Sequence, residues 1–555
     1  MKRALLLAIS FCAALGTAQT DNAWTRATGQ VKASTSAQRL SFPKEYQLYQ
    51  LQDNSIRQTL AAVNGRGQSV SVVISLPAVN GTIERFAVRE FSNFDPELQA
   101  QYPEIRSYSG VGLDDKSATV RFSVDPKGIQ AMIMRGSSRT EFMEPYSTDG
   151  SVYAVYQSSR EKGSLPWVCS TEDHAVAETA ARQTSDLARS SNPELLTFRL
   201  ALSCNGEYTI YHGGTVAGAL AAMNATMTRV NGVFEKDLAI HMNIIPNNNL
   251  VIFTNPITDP YTTLNAWNNQ LQTTLTNIIG EANYDVGHMF GASGGGGNAG
   301  CIGCVCQPGK GRGITSPADG VPMGDTFDID YVAHELGHQF GANHTFSHAV
   351  EGSGVNVEPG SGSTIMGYAG ITSYNIANNS DDYFVYASVK QIQDNMVSKT
   401  CPVRTPLTHG APVVSAGADY TIPKSTPFVL TGVATDANGD ALTYCWEQND
   451  TATTQTGGQS PASATKTAGP NWRSYDPTAS PSRYFPPLQR IIANQSTSSF
   501  GSVTTEALSS VARTLNFVVT ARDNNPVGGL TGSDAMVVTV NGVAGPFLVT
   551  APNTP

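Results

Sequence analysis

The chain has 555 residues, more than one hydrophobic core usually organises, so we expect several domains. Only 14% of the residues are charged, and 35 basic against 45 acidic side chains leave a net charge of −10. This mild acidic balance argues against a nucleic-acid partner, and no apolar run beyond residue 18 is long enough to span a bilayer.

Residues 1–18 have the three parts of a secretory signal peptide. Lys2 and Arg3 supply the basic part, residues 4–15 are apolar, and residues 16–18 are small. We therefore expect a secreted, extracellular protein. A surface filled by Ser, Thr, Asn and Gly instead of charged residues fits that location.

Residues 19–175 are predicted to form a β-rich domain. Its clearest strands are β-branched or alternating runs at 70–76, 118–124 and 129–134, with Gly- or Pro-containing turns between them. The domain contains no catalytic constellation. Its place between the leader and the His-rich motif at 334–344 favours a pro-domain that assists folding and maintains latency, and a permanent binding module is the alternative.

Residues 176–194 are rich in Ala, Ser and Thr and contain Arg182 and Arg189. We expect an exposed activation linker here. Residues 195–402 then alternate strands and helices. Strands are predicted at 196–203, 240–245 and 250–254 and helices at 215–237 and 262–279, which indicates an α/β domain with a mixed sheet.

The strongest motif in the chain is H-E-x-x-H-x-x-G-x-x-H at 334–344. On a helix, His334 and His338 lie one turn apart on one face and can bind one zinc ion together. Glu335 is then carried towards the water in the open position of the ion. Gly341 can take a positive φ, end the helix and return the chain so that His344 becomes the third ligand.

Met366 follows in a Gly- and Ser-rich turn. Taken alone, it could simply be a buried methionine in the core. Residues 200–208, 331–346 and 359–366 together resemble the secreted bacterial reprolysin-like metallopeptidases, a metzincin family, over about residues 195–401. The resemblance implies a zinc endopeptidase with a zinc-binding helix, three His ligands and Met366 in the Met-turn beneath them. Tyr368 stands where other metzincins have a tyrosine near the metal, which suggests a catalytic role, and a packing role is the alternative. Typical reprolysins have Asp where this chain has Thr345.

The Gly-rich run at 294–306 lacks the Gly-Lys-Ser/Thr ending of a phosphate loop, and its Cys-x-x-Cys has no second pair for a zinc ribbon. In metzincins this region supplies the sheet edge on which an extended peptide lies. The predicted substrate-edge strand therefore comprises Asn298, Ala299, Gly300 and Ile302. A loop pinned by disulfides is the alternative.

Eight cysteines are present, of which Cys12 lies in the leader, so seven remain. If the six others pair, Cys169 is the spare thiol. A thiolate is a good fourth zinc ligand, so Cys169 is a candidate latency switch that displaces the catalytic water until the linker is cut. An ordinary disulfide or an idle thiol are the alternatives.

Residues 403–411 form a predicted linker, and residues 412–555 an all-β sandwich related to PKD or cadherin modules, with strands at 427–432, 442–446 and 514–520. Its expected ligand is a surface, a glycan or a protein. Asp436, Asn438 and Asp440 have the alternating oxygen ligands of a calcium loop. An Asx-rich hairpin turn explains the same pattern equally well.

Two functions fit this multidomain chain. The first is a monomeric, secreted zinc endopeptidase, made as a latent precursor, that cleaves protein or peptide substrates with Glu335 as general base. The second is a non-catalytic secreted adhesion protein with a structural zinc site. Glu335 argues against the second, because a structural site needs no general base.

Overall fold

The computed structural model describes residues 23–52, 55–66, 70–136, 138–158, 167–173, 189–548 and 551. The predicted signal peptide and most of the predicted activation linker, including Arg182, lie outside these residues. Within the part of the chain that is described, no helix is both long and apolar enough to cross a membrane.

The N-terminal unit is one antiparallel sheet in the order β1-β2-β9-β8-β7-β6-β5-β4-β3. Two short helices accompany it, Ser55–Ala61 (α1) and Pro96–Gln101 (α2). The strands are Trp24–Arg26 (β1), Gln47–Leu51 (β2), Val72–Pro77 (β3), Ile83–Glu90 (β4), Arg106–Gly112 (β5), Thr119–Asp125 (β6), Gly128–Met134 (β7), Glu141–Pro145 (β8) and Val152–Gln157 (β9).

Side chains alternate between the two faces of this sheet along each strand, and both faces are covered. On β6, Val120 and Phe122 enter the core of the unit itself. The opposite face packs on the second unit: Arg121 forms a buried ion pair with Glu235, and Phe142 belongs to the core that both units share.

The second unit is a mixed sheet in the order β10-β15-β16-β14-β12-β13, with β17 antiparallel to the start of β12. Strands β12, β13, β14 and β16 are parallel, and β15 is antiparallel to β16. The strands are Val168–Cys169 (β10), Glu194–Cys204 (β12), Ile240–Ile244 (β13), Val286–Phe290 (β14), Gly296–Asn298 (β15), Gly313–Ser316 (β16) and Val403–Pro406 (β17). The helices are Gly206–Tyr211 (α3), Val216–Leu238 (α4), Leu264–Ile278 (α5), His334–Phe340 (α6) and Tyr386–Val397 (α7).

The third unit contains a sheet in the order β11-β27-β26-β22, with β19 beside β27, and the pairs β18-β21, β20-β23 and β24-β25. Its core is rich in aromatic residues, among them Trp446, Trp472 and Phe485. The strands are Arg189–Ser190 (β11), Val413–Ser415 (β18), Tyr420–Pro423 (β19), Phe428–Thr431 (β20), Val433–Thr435 (β21), Thr443–Gln448 (β22), Ser482–Phe485 (β23), Thr497–Phe500 (β24), Val503–Ala507 (β25), Arg513–Arg522 (β26) and Thr531–Asn541 (β27), and the helix is Leu488–Ile492 (α8).

Three elements differ from the sequence prediction. The strand predicted at 250–254 is absent from the described structure, and a short 3-10 helix, Asn248–Val251, overlaps its start. The amide of Asn248 accepts from Leu202 N and donates to Leu202 O, so a side chain fills the place of a neighbouring strand. The two predicted linkers each contain a strand, because Arg189–Ser190 pairs with β27 and Val403–Pro406 pairs with β12.

Candidate metal centre

A continuous buried helix presents the first two histidines. It begins as a π-helix, Thr326–Ala333, and continues as the α-helix His334–Phe340, with every residue buried. A helix that is buried all round depends on packing rather than on an amphipathic stripe. Gly337 allows close packing, because a Cβ at this position would lie 2.6 Å from the sulfur of Met366.

Gly341 ends the helix with a φ of +127°, a conformation that favours glycine. The chain then turns back, as the sequence predicted. This turn brings the ring of His344 within 4.4 Å of the ring of His338, measured between centroids.

The three imidazoles point their Nε2 atoms at one place. His338 Nε2 lies 3.2 Å from His334 Nε2 and 3.1 Å from His344 Nε2. The Nδ1 atoms of His334 and His338 face the carbonyl oxygens of Ile365 and Ala342 at 2.6 and 2.7 Å. A carbonyl only accepts, so these Nδ1 atoms carry the protons and both Nε2 lone pairs face inward. Burial also lowers the pKa of His334 to about 3, which keeps its ring neutral.

The donor set fits zinc. Tetrahedral zinc at its usual distance from nitrogen holds two ligand nitrogens about 3.3–3.4 Å apart. The fourth donor is Cys169, whose Sγ lies 3.7 Å from His338 Nε2, and the four donor atoms lie within 4.8 Å of one another. Converging lone pairs repel unless a cation lies between them. Burial raises the pKa of the Cys169 thiol to about 11, so a thiolate here also requires a cation.

The third histidine is held by carboxylates rather than by carbonyls. Its Nδ1 lies 2.8 Å from Glu351 Oε2 and 3.1 Å from Asp173 Oδ1. Asp173 Oδ1 also accepts from the His344 backbone N–H at 3.2 Å. Such partners fix the orientation of a ligand ring and raise its basicity.

Thr345 replaces the Asp that is typical of reprolysins, and Glu358 supplies a carboxylate nearby. Thr345 and Thr364 each donate a hydroxyl hydrogen bond to Glu358 Oε2, at 2.6 and 2.7 Å. Ser363 N donates to the other carboxylate oxygen at 2.9 Å. Glu358 therefore ties the segment after His344 to the turn that contains Met366.

The general-base candidate lies in the same buried cleft. Glu335 Oε2 accepts from the hydroxyl of Thr171 at 3.1 Å, and among the described residues no group donates to Oε1. Burial raises the pKa of Glu335 to about 7. A carboxyl with such a pKa is suited to take and return a proton near neutral pH.

Tyr368 lies beside the ligands, with its ring 4.8 Å from that of His344. Its hydroxyl donates to the backbone carbonyl of Cys169 at 3.2 Å. Tyr368 therefore contacts the backbone of the segment that lies over the metal centre.

Residues 167–173 lie in the cleft as an extended segment, of which Val168–Cys169 form β10. Val168 and Cys169 pair with Gly296 and Gly297 of β15 in parallel, and Ser170 N donates to Gly297 O at 2.9 Å. Alternate side chains are turned inward. The inward residues are Trp167, Cys169, Thr171 and Asp173, and the outward residues are Val168, Ser170 and Glu172.

The observed edge strand is Gly296–Asn298, so of the predicted edge residues only Asn298 lies in it. Ala299 follows directly and donates its N–H to the hydroxyl of Thr171 at 2.8 Å. Gly300 directly precedes a tight loop closed by the disulfide Cys301–Cys304, and Ile302 lies within that loop. The tight loop ends the strand earlier than predicted.

The second disulfide is Cys306–Cys401, and among the cysteines that the structure describes three remain free and buried, namely Cys169, Cys204 and Cys445. The premise that all six other cysteines pair is therefore wrong. Cys204 ends β12 and Cys445 lies in β22, in separate units of the fold.

The predicted calcium loop is only partly assembled. Carboxylates of Asp436 and Asp440 approach that of Asp523, which the sequence analysis missed. Asn438 turns away, and its side-chain oxygen accepts from Gly410 N at 3.2 Å. Asp436 Oδ1 accepts from the backbone N–H groups of Asn438 and Asp440, which is the pattern of an Asx turn. The structure gives no support for calcium beyond this cluster of carboxylates.

Comparison with known families agrees with this geometry. Residues 195–395 match the profile of metallopeptidase family M12B, reprolysin-like. This part of the chain is a reprolysin-like metzincin domain, of a family of zinc metallopeptidases. A search among curated proteins finds no significant match.

Four residues around the metal centre were missed by the sequence analysis: Thr171, Asp173, Glu351 and Glu358. A usable signal exists for the first two, because they follow Cys169 at intervals of two in a segment that could be extended. Glu351 and Glu358 lie in irregular loops, where spacing gives no direction to a side chain.

Replacing Glu351 with Ala in the processed protein should weaken zinc binding about 10- to 100-fold, because His344 then loses the carboxylate on its Nδ1. Competition with a zinc chelator measures this. Glu281→Ala, an exposed change outside the centre, is the control. Equal zinc affinity for all three proteins would show that Glu351 does not position His344.

Proposed function

We propose that the chain is a secreted zinc endopeptidase made as a latent precursor, with residues 167–173 as its internal inhibitor. The observation that carries the proposal is the pairing of this extended segment with β15, with Cys169 directed at the three histidines. A cleft that holds one extended backbone by strand hydrogen bonds is suited to hold a substrate peptide in the same way.

His334, His338 and His344 would hold the metal after the segment leaves. Bound zinc supplies a Lewis acid that polarises a water molecule and the carbonyl to be cleaved. Glu335 takes the proton of the attacking water and passes it to the departing amine. The hydroxyl of Tyr368, released from the Cys169 carbonyl, becomes free to donate to a substrate oxygen in the cleft.

Secretion is supported by the predicted leader at residues 1–18 and by the two disulfides, which form in oxidising compartments. The N-terminal unit is proposed as the pro-domain. It shares a core with the peptidase unit and directly precedes the inhibitory segment. Cleavage is expected within residues 176–188, which separates Cys169 from the domain that it inhibits.

One observation favours the alternative of a structural zinc site. Three histidines and Cys169 make four protein ligands, which is the usual number in a structural site. Against it stand the match to a peptidase family and the buried carboxyl of Glu335 beside the donors. The two functions differ in what happens when Glu335 or Cys169 is changed.

Glu335→Gln in the processed protein should retain zinc but lose hydrolysis by a factor of about 10² to 10⁴, because the amide cannot accept the proton from water. Casein and fluorogenic peptides measure activity, and metal analysis measures zinc. Glu281→Gln serves as the control with full activity. Equal cleavage by the two variants would exclude Glu335 as the base.

Cys169→Ser should make the intact precursor active, because a hydroxyl binds zinc far less strongly than a thiolate. We expect a rise of at least about tenfold over the wild-type precursor, equivalent to 1.4 kcal/mol of lost affinity for the segment. Electrophoresis must show that the precursor is uncut. Cys445→Ser, which changes another buried free thiol, should stay latent. A Cys169→Ser precursor as silent as the wild type would refute the switch.

A further inference from the structure

Trp167 fills a pocket in the peptidase unit. Its side chain is 3% exposed although the residue directly precedes β10, the strand at the edge of the sheet. The indole is stacked on the ring of Tyr331, with centroids 4.3 Å apart and planes at 7°. The indole and the His334 ring are arranged edge to face, with centroids 5.9 Å apart and planes at 89°. Both contacts are arrangements that aromatic rings favour.

The pocket also offers a backbone carbonyl that accepts a hydrogen bond from the indole, and Gly297 limits its width. Trp167 Nε1 donates to the backbone carbonyl of Ser316 at 3.1 Å. At Gly297, an added Cβ would lie 2.7 Å from Trp167 Cζ2 and 2.1 Å from Glu335 Oε1. Any larger residue at Gly297 would therefore overlap the indole and the Glu335 carboxylate as they now lie. A ring that carries an N–H or O–H donor can bond to the Ser316 carbonyl, and an aliphatic side chain cannot.

The four residues that contact Trp167 in these ways, Gly297, Ser316, Tyr331 and His334, belong to the peptidase unit. Gly297 lies in β15, Ser316 in β16, and Tyr331 and His334 in the helix that carries the metal ligands. Trp167 belongs to the segment that activation removes. The pocket therefore remains after activation, with its occupant gone.

Strand geometry fixes the position of the pocket relative to the metal centre. Residues two apart on a strand point to the same face. Trp167 is two residues from Cys169, so both side chains lie on the same face of the segment. The pocket of Trp167 is therefore adjacent to the metal ligands that Cys169 faces. An extended peptide that crosses the metal centre must present one of its side chains to the same pocket.

We infer that this pocket is a substrate subsite that selects an aromatic side chain, with Trp and Tyr preferred over Phe, and that Tyr331 is its specificity-determining residue. The inference rests on the proposed function, since it names the substrate class of the same cleft. Stacking on Tyr331 and the bond to Ser316 O favour an aromatic donor over Ala by about 10- to 100-fold in kcat/KM.

The first arm of the test uses the processed protein and a fluorogenic peptide library that varies each position on both sides of the cleaved bond. One position should prefer Trp and Tyr, then Phe, over Leu and Ala. Tyr331→Leu should reduce the ratio of aromatic to Leu cleavage at that position, and Tyr331→Phe should preserve it. Hydrolysis by the wild type without an aromatic preference at any position would overturn the inference.

The second arm does not depend on hydrolysis. Calorimetry measures binding of a synthetic peptide of residues 165–173 to processed Glu335→Gln protein loaded with zinc. Its Trp167→Ala version should bind at least about tenfold more weakly, and its Trp167→Phe version should lie between the two. Equal binding of all three peptides would overturn the inference. If binding depends on Trp167 but the wild-type protein cleaves no peptide, the proposed function fails and the aromatic site stands.

Discussion

The arrangement of the site depends on how side chains alternate along one short extended segment, residues 167–173. Because residues 167–173 pair with the edge of the sheet, every second side chain points into the cleft. Trp167 enters an aromatic pocket, Cys169 faces the histidines, Thr171 binds Glu335, and Asp173 binds His344. A shift by one residue would turn all four outward, so the register of a single strand sets the state of the whole site.

The N-terminal unit holds that register. Its sheet shares a continuous core with the peptidase unit, and a buried ion pair between Arg121 and Glu235 joins β6 to helix α4. Asn93 adds a hydrogen bond from its side chain to Thr228, at 2.8 Å, on the same helix. Only residues 159–166 separate this anchored unit from the segment along the chain, so the effective concentration of the segment at the metal centre is high.

The sequence predicted the parts of the site that have a local signal. The spacing of His334, His338 and His344 on a helix that ends at Gly341 needs only helical geometry and one residue with positive φ. Glu351 could not be predicted in this way, because a loop of irregular backbone brings its carboxylate to His344. The prediction of a strand at 250–254 was wrong. The propensity of these residues does not show that the side chain of Asn248 forms hydrogen bonds with the backbone of Leu202.

Zinc K-edge X-ray absorption on the intact precursor and on the processed protein would show directly whether Cys169 binds zinc in the precursor and leaves it on activation. We expect three nitrogen ligands at about 2.0–2.1 Å and one sulfur at about 2.3 Å in the precursor. In the processed protein the sulfur should be absent and a nitrogen or oxygen donor should replace it. A precursor without sulfur at its zinc, or a processed protein that retains it, would exclude Cys169 as the ligand that keeps the precursor latent.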